Sequence, residues 1–258
     1  EDSKNRQIAE NGLGSVTHMS MSWIEIAFTT LTVIIGAVLQ GSIGFGMGLF
    51  ASPILILIDS RFVPGPILLS TMVLVTLLTY REWEAIDVHG LQWAVVGRVS
   101  GTVVAAVVLT LVHRESLVLF FGVFLLLGVG MSVSGIRLVP TRVVLVAAGV
   151  LSGIMGTIAS IGGPPMALVY QHSPGARLRS TVSGVFLFGT ILSLIALRVT
   201  GHFGVYELRL ASLMIPGLCI GFVLSRWTAG LVDVGHTKRA VLGVSGVAAV
   251  IVIVQQLF

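Results

Sequence analysis

The sequence predicts an all-α polytopic membrane protein made of two inverted-topology repeats with broken or re-entrant half-helices. Three observations carry the prediction: a composition too apolar for water, ten apolar runs of which two are too short to cross a bilayer, and an internal repeat that places those two runs in equivalent positions. Of 258 residues, 55% are hydrophobic and 10% charged, against roughly 45–50% and about 25% in soluble domains. At a mean hydropathy of +1.02, apolar surface on this scale needs lipid as its solvent. The 31 glycines show no Gly-X-Y period, so collagen is excluded, and the apolar content excludes disorder. A single cysteine, Cys219, excludes a disulfide framework, a CxxC pair and a cysteine-based zinc site, and is expected to pack inside an apolar run. The net charge of +4 is scattered singly between apolar segments, where topology needs it, and not clustered as nucleic-acid binding would require.

Residues 1–20 form a polar tail carrying Glu1, Asp2, Lys4, Arg6 and Glu10, with Gly14-Ser15 and His18-Met19 read as cloning remnants; the tail is neither a signal sequence nor a span. Residues 21–135 make the first transmembrane repeat and residues 136–258 the second. In the first, the apolar runs are Met21–Gln40, Leu49–Ile58, Pro66–Tyr80, Leu91–Val112 and Ser116–Ser134. In the second they are Arg142–Ile158, Pro165–Tyr170, Thr181–Val199, Leu208–Leu224 and Ala240–Val254. Gly, Pro, Arg and His punctuate the gaps. A helix rises about 1.5 Å per residue and the hydrocarbon layer is ~30 Å thick, so the second and seventh runs cannot cross alone and read as half-helices or re-entrant arms. The remaining runs read as spans, with Trp23, Tyr80, Trp83, Trp93, Tyr170, Tyr206 and Trp227 near their ends, as interfacial rings should be.

The repeat is direct. Val38-Leu39-x-Gly41-x-x-Gly44 with Pro53 recurs as Val150-Leu151-x-Gly153-x-x-Gly156 with Pro165, at an offset of 112. Pro64-Gly65-x-x-Leu68-x-Ser70-Thr71 then recurs as Pro174-Gly175-x-x-Leu178-x-Ser180-Thr181. An odd number of passages per repeat inverts the second copy, and five runs predict inversion; a first and second run fused into one broken span would make the copies parallel. With the N-terminus outside, five passages put Arg81, Arg137, Arg142, Arg177, Arg179, Arg226, Lys238 and Arg239 in the cytoplasm, against Lys4, Arg6, Arg61, Arg114, Arg198 and Arg209 outside.

The candidate chemistry sits at the two breaks, where glycine frees the backbone and proline opens a helix. Unwound backbone inside a membrane is tolerated where it is buried in protein or lines a cavity, and half-helix N-termini converging near the midplane make an anion site. The alternative is that these glycines only let helices approach, as Gly97-x-x-x-Gly101 and Gly217-x-x-x-Gly221 are expected to do. The candidate lining is Gln40, Gly44, Phe45, Gly46, Met47, Gly48 and Ser52 from the first break, and Thr157, Ser160, Gly162 and Gly163 from the second. Ser70, Thr71, Ser180 and Thr181 recur beside the breaks, as helix caps or as lining. Arg98, seven residues into its run, needs a partner, an anionic ligand or water, unless its long side chain snorkels to the interface. Its repeat counterpart is Leu218. No catalytic set, metal ligand cluster, cofactor loop or deep carboxylate is visible, so neither an enzyme nor a carboxylate proton relay is expected.

The two breaks, Gly41-Ser-Ile-Gly44-Phe-Gly46-Met-Gly48-Leu-Phe-Ala-Ser-Pro53 and Gly153-Ile-Met-Gly156-Thr-Ile-Ala-Ser-Ile-Gly162-Gly163-Pro164-Pro165, resemble the sulfite exporter TauE/SafE family, also called the toluene sulfonate uptake permease family. The likeness covers Trp23 to Phe258; the family's denser glycine run in the second copy is here Ser160-Ile161-Gly162-Gly163. The resemblance implies secondary transport of small sulfur-containing anions such as sulfite, sulfonates or sulfoacetate across a bacterial inner membrane, with no cofactor and with a small anion and the lipid bilayer as partners. A passive anion channel, a transporter of non-sulfur carboxylates and a nontransporting scaffold are the alternatives.

Overall fold

The computed structural model describes residues 21–112 and 114–229, with 242–243, 245–247, 250–251 and 254. The polar tail and most of the tenth run lie outside the described residues. Among the described residues the continuous α-helices are, in order, α1 (Trp23–Ile43), α2 (Ser52–Ile58), α3 (Gly65–Arg81), α4 (Val88–Leu111), α5 (Arg114–Val133), α6 (Arg142–Ala159), α7 (Gly163–Tyr170), α8 (Gly175–Val199) and α9 (Val205–Thr228). Among the described residues α1, α4, α6, α8 and α9 are long and apolar enough to cross a membrane, and none forms a strand. Their outer faces keep large apolar side chains exposed, as lipid requires, with Trp23, Tyr80, Trp83 and Trp227 standing out at helix ends. Cys219 also lies on this exposed surface of α9, which corrects the expectation that it packs inside. At the periodicity of α9 it falls one position beyond the buried pair Gly217 and Leu218.

Both short runs are re-entrant arms. α1 ends at Gly44, in the left-handed region with φ 97°, and Gly46 at φ 149° completes the reversal, conformations that a side chain would strain. A π-helical turn, Met47–Ala51, then leads into α2. A Cβ on Gly36 of α1 would meet both Met47 and Ala51, so the arm doubles back along the helix it left. α6 ends at Ser160, likewise left-handed at φ 62°, and α7 returns. The left-handed residues differ in register: α6 runs one turn beyond the repeat equivalent of Gly44, whereas the first copy spends those residues on the π turn after its break.

The ends of the bundle can be assigned from contacts. Gly65, which opens α3, lies against Phe203 and Glu207. Arg81, which closes it, donates to the Gly41 carbonyl at 2.7 Å and to Ser225 at 2.8 Å. The first turn of α8 lies at that second end, because Arg179 pairs with Glu82 at 2.9 Å. α3 and α8 occupy equivalent places in the repeats, pack together and run antiparallel, a relation compatible with two inverted copies. Pro64 and Pro174 therefore mark opposite ends. Arg81, Arg142, Arg177, Arg179 and Arg226 gather at the Pro174 end, whereas Arg61, Arg198 and Arg209 lie at the Pro64 end. There Asp59 grips Arg61 at 2.7 Å and holds its guanidinium above the usual value.

The halves interlock. α1 packs on α9 and α6 on α4, so the first helix of each copy rests on the fourth helix of the other. Glycines make both approaches: side chains at Gly97 and Gly101 would overlap the Val146 and Val150 carbonyls, and one at Gly221 would stand 2.6 Å from the Ile34 carbonyl. Four apolar clusters result among the described residues. One joins α1, α2, α3 and α9 through Val33, Leu55, Leu74 and Met214, and another α4, α6, α7 and α8 through Ala94, Leu145, Met166 and Val182. The other two bridge the halves, Phe45 and Leu49 packing with Met155 and Ile161, and Leu68 with Ala105, Ile158 and Leu197. Single cysteines placed beside Pro64 and beside Pro174 are expected to react with an impermeant thiol reagent from opposite sides of the membrane; labelling of both from one side would contradict the inverted arrangement.

Candidate functional site

The two breaks pack against each other, Phe45 and Leu49 of the first sharing one apolar cluster with Met155, Ala159 and Ile161 of the second. A Cβ on Gly48 would overlap the Ser160 carbonyl, and one on Gly163 would stand 3.1 Å from the Phe45 Cβ. Between them lies a cavity of about 20 Å³, room for about one water.

One charged side chain lines it. Helix α4 runs from Val88 to Leu111, so Arg98 lies near its middle, and its side chain turns inward to Ser152 and not towards an interface, which sets the snorkelling alternative aside. It is 1% exposed. Its Nη1 donates to the Ser152 carbonyl at 2.7 Å and to the Ser152 hydroxyl, and the Phe186 ring centroid lies 5.4 Å from Cζ. Its Nε has no partner, and no carboxylate pairs with it among the described residues. Three glycines make room for the guanidinium: a Cβ on Gly189 would overlap Nε, one on Gly162 would overlap Nη1, and one on Gly156 would stand 2.6 Å from Nη2. The arrangement is a buried cation whose counter-charge the described protein does not supply. Burying an unpaired charge costs several kcal/mol, so the cradle of small residues and the aromatic face only partly offset it.

Each break is tied to its helix by one polar side chain. Gln40 donates to the Gly44 carbonyl at 3.2 Å and accepts from the Met47 amide at 3.2 Å. Its equivalent at the repeat offset, Ser152, donates to the Gly162 carbonyl at 2.6 Å while accepting from Arg98. The amides expected to hold an anion are fewer than the sequence suggested. Met47 N–H is taken by Gln40, and Pro164 and Pro165 leave α7 without two of its first donors. The positive field of this site therefore comes mainly from Arg98.

Of the residues expected from sequence, the structure brings Gln40, Phe45, Gly46, Gly48, Thr71, Arg98, Ser160, Gly162 and Gly163 to the cavity. Seven others stand apart from its lining. Gly44 and Met47 shape the first break, and Ser52 is buried in α2 with its hydroxyl unpartnered. Ser70 bonds back to the Pro66 carbonyl at 2.9 Å. Thr157 pairs with Ser193 at 2.7 Å, and Ser180 bonds to the Arg177 carbonyl at 3.2 Å. Thr181 accepts from the Asp87 amide at 3.0 Å, so of the two recurring Ser-Thr pairs only Thr71 faces the cavity. Sequence reasoning missed Phe186, Thr190, Gly156, Pro164, Leu49 and Leu68 in the lining, and Ser152 and Gly189 behind Arg98. Ser152 was within reach, since the repeat pairs it with Gln40; Gly189 carries no local signal.

A buried arginine without a carboxylate partner among the described residues, between two re-entrant arms, has the chemistry to accept a small anion. No curated protein and no solved structure matches the chain. The family model of the sulfite exporter TauE/SafE matches residues 28–252, nearly the whole described bundle, and the chain belongs to that family of membrane transporters.

Proposed function

We propose that the protein is a secondary transporter that moves small sulfur oxyanions, such as sulfite, sulfonates and sulfoacetate-like compounds, across the bacterial inner membrane by alternating access. The observation that carries this reading is a buried guanidinium, Arg98, that has no carboxylate partner among the described residues and lines a cavity between the two breaks. A compact oxyanion that enters as the two arms part neutralises the guanidinium and accepts from its outer N–H groups, with Thr71 and the glycine backbone of Gly46, Gly48, Gly162 and Gly163 close around it. Charge-assisted hydrogen bonds of this kind contribute about 1.5–3 kcal/mol each, enough for binding and weak enough for release. Arg98 and the groups that touch it come from α4, α6, α7 and α8, while Gln40 comes from α1, Phe45 from the first break and Thr71 from α3, so the two sides of the cavity belong to parts of the bundle that alternating access moves against each other. The arginine excess at the Pro174 end makes that end cytoplasmic.

A counterflow experiment tests this. Proteoliposomes preloaded with unlabelled sulfite should transiently concentrate external radiolabelled sulfite, because only a carrier exchanges internal for external solute. Label that merely equilibrates marks a channel, and exchange of dicarboxylates in place of sulfite marks the carboxylate alternative.

A further inference from the structure

A second cavity, of about 470 Å³, opens at the Pro174 end. It meets the central one at Phe45 and Pro164, which line both. Its charged group is Arg179, on the first turn of α8. Nε and Nη2 of Arg179 hold Glu82 at 2.9–3.1 Å, while Nη1 has no partner among the described residues. Arg81 shares the same carboxylate at 3.3 Å, so two guanidiniums stand on one acid and the cluster keeps a net positive charge. Gly175, the first residue of α8, also lines the cavity. This 25-residue helix has no side-chain cap at Pro174 and no acidic residue in its first turn, so its first amides and dipole remain available to an anion. An independent observation points to a ligand: Ser132, 9% exposed, faces the same cavity from α5 with its hydroxyl unpartnered. Ser42, by contrast, spends its hydroxyl on Thr228 at 2.7 Å.

We propose that the vestibule of Arg179, Ser132 and the α8 N-terminus is a second oxyanion station, where the transported anion waits between the cytoplasm and Arg98. This rests on the transport reading above. The shared chemistry is a compact oxyanion, and the occupant is the cargo and not a lipid phosphate. Phe45 and Pro164 stand between the stations, so transfer requires that they move aside and that the anion exchange one guanidinium for the other. The vestibular station binds more weakly, because Arg179 is already partly neutralised by Glu82 whereas Arg98 is not.

Equilibrium binding of radiolabelled sulfite to the purified, detergent-solubilised chain tests this. The wild type should show two components. Arg98→Met should keep only the weaker one, which Ser132→Ala should weaken a further ~3–10-fold and the double change Glu82→Gln with Arg179→Gln should remove. Removing both partners avoids stranding Arg179's charge, while Arg81 loses the shared carboxylate but keeps its bonds to Ser225 and the Gly41 carbonyl; Ser132→Ala deletes a hydroxyl that bonds to nothing, so its result stands even if the double variant fails to fold. Displacement of the residual sulfite by methanesulfonate supports a cargo station; displacement only by short-chain phosphatidylglycerol overturns it in favour of a lipid site. If Arg98→Met abolishes all binding, the second station does not exist while the central site stands. A wild type that binds no sulfite overturns both.

Discussion

Replacing Arg98 with methionine is expected to abolish sulfite uptake while leaving the melting temperature unchanged or higher. The direction on stability follows from the site. The guanidinium is buried, lacks a carboxylate and leaves Nε unbonded, so its desolvation is not repaid within the protein. Methionine fills a similar length with apolar atoms and releases that cost, at the loss of the bonds to Ser152. The direction on function is opposite, because the same unsatisfied charge is what attracts the anion. Loss of a charge-assisted hydrogen bond of about 1.5–3 kcal/mol corresponds to a ~10–100-fold weaker affinity, and loss of the long-range attraction adds to it. Uptake into proteoliposomes and thermal melting of the same preparation check the pair of outcomes. A methionine variant that transports normally, or one that melts well below the wild type, would show that Arg98 serves the fold.

Gly189→Ala should be nearly as damaging to uptake, although alanine is the better helix former in the middle of α8. A Cβ there overlaps Nε of Arg98, so the guanidinium proposed to hold the anion must shift within a space that Gly162 and Gly156 already limit. Overpacking of this kind costs about 1–3 kcal/mol, against the ~1 kcal/mol that alanine contributes over glycine in a helix. The two changes should also couple. In the Arg98→Met background a flexible thioether replaces the rigid guanidinium, so Gly189→Ala should cost less there by about 0.5–3 kcal/mol, the usual range for contacting residues. Equal costs in both backgrounds, measured by thermal or chemical unfolding, would mean that Gly189 touches something other than the arginine.

The fold was largely legible because lipid imposes simple arithmetic on a chain. Run lengths separated spans from arms, and the recurring Pro-Gly-x-x-Leu-x-Ser-Thr placed Pro64 and Pro174 in equivalent positions that the structure sets at opposite ends. Helix limits were less accurate. α8 begins at Gly175, six residues before the apolar run, because Arg177 and Arg179 fit a first turn that hydropathy alone assigns to the loop. The same effect at α4 mattered more, since starting at Val88 puts Arg98 near the middle of a 24-residue helix, where its side chain turns inward to Ser152.

The site was legible in part. Gly46, Gly48, Gly162 and Gly163 announce broken backbone, and a cation within an apolar run announces an anion or a partner. Which hydroxyls face the cavity was not readable, because Ser70, Ser180 and Thr181 satisfy themselves on backbone groups, a choice fixed by helix rotation and neighbours. Gly189 is one glycine among 31, and only the packing of α4 on α6 turns Arg98 towards it. Symmetry misled as well: half-helix amides were expected to carry the anion from both copies, whereas Gln40 occupies Met47 N–H in one and two prolines stand in the other.

The central claim, that Arg98 holds the transported anion, is tested most directly by ligand-induced stabilisation of purified protein. Sulfite titrated into wild type should raise the melting temperature in a saturable way, since a ligand that binds only the folded state stabilises it by about 2.7 kcal/mol at a hundred times its Kd. At millimolar sulfite, Arg98→Met should lose most of that shift despite melting at or above the wild-type temperature without ligand. Equal shifts in the two proteins would contradict the account and place the anion away from Arg98.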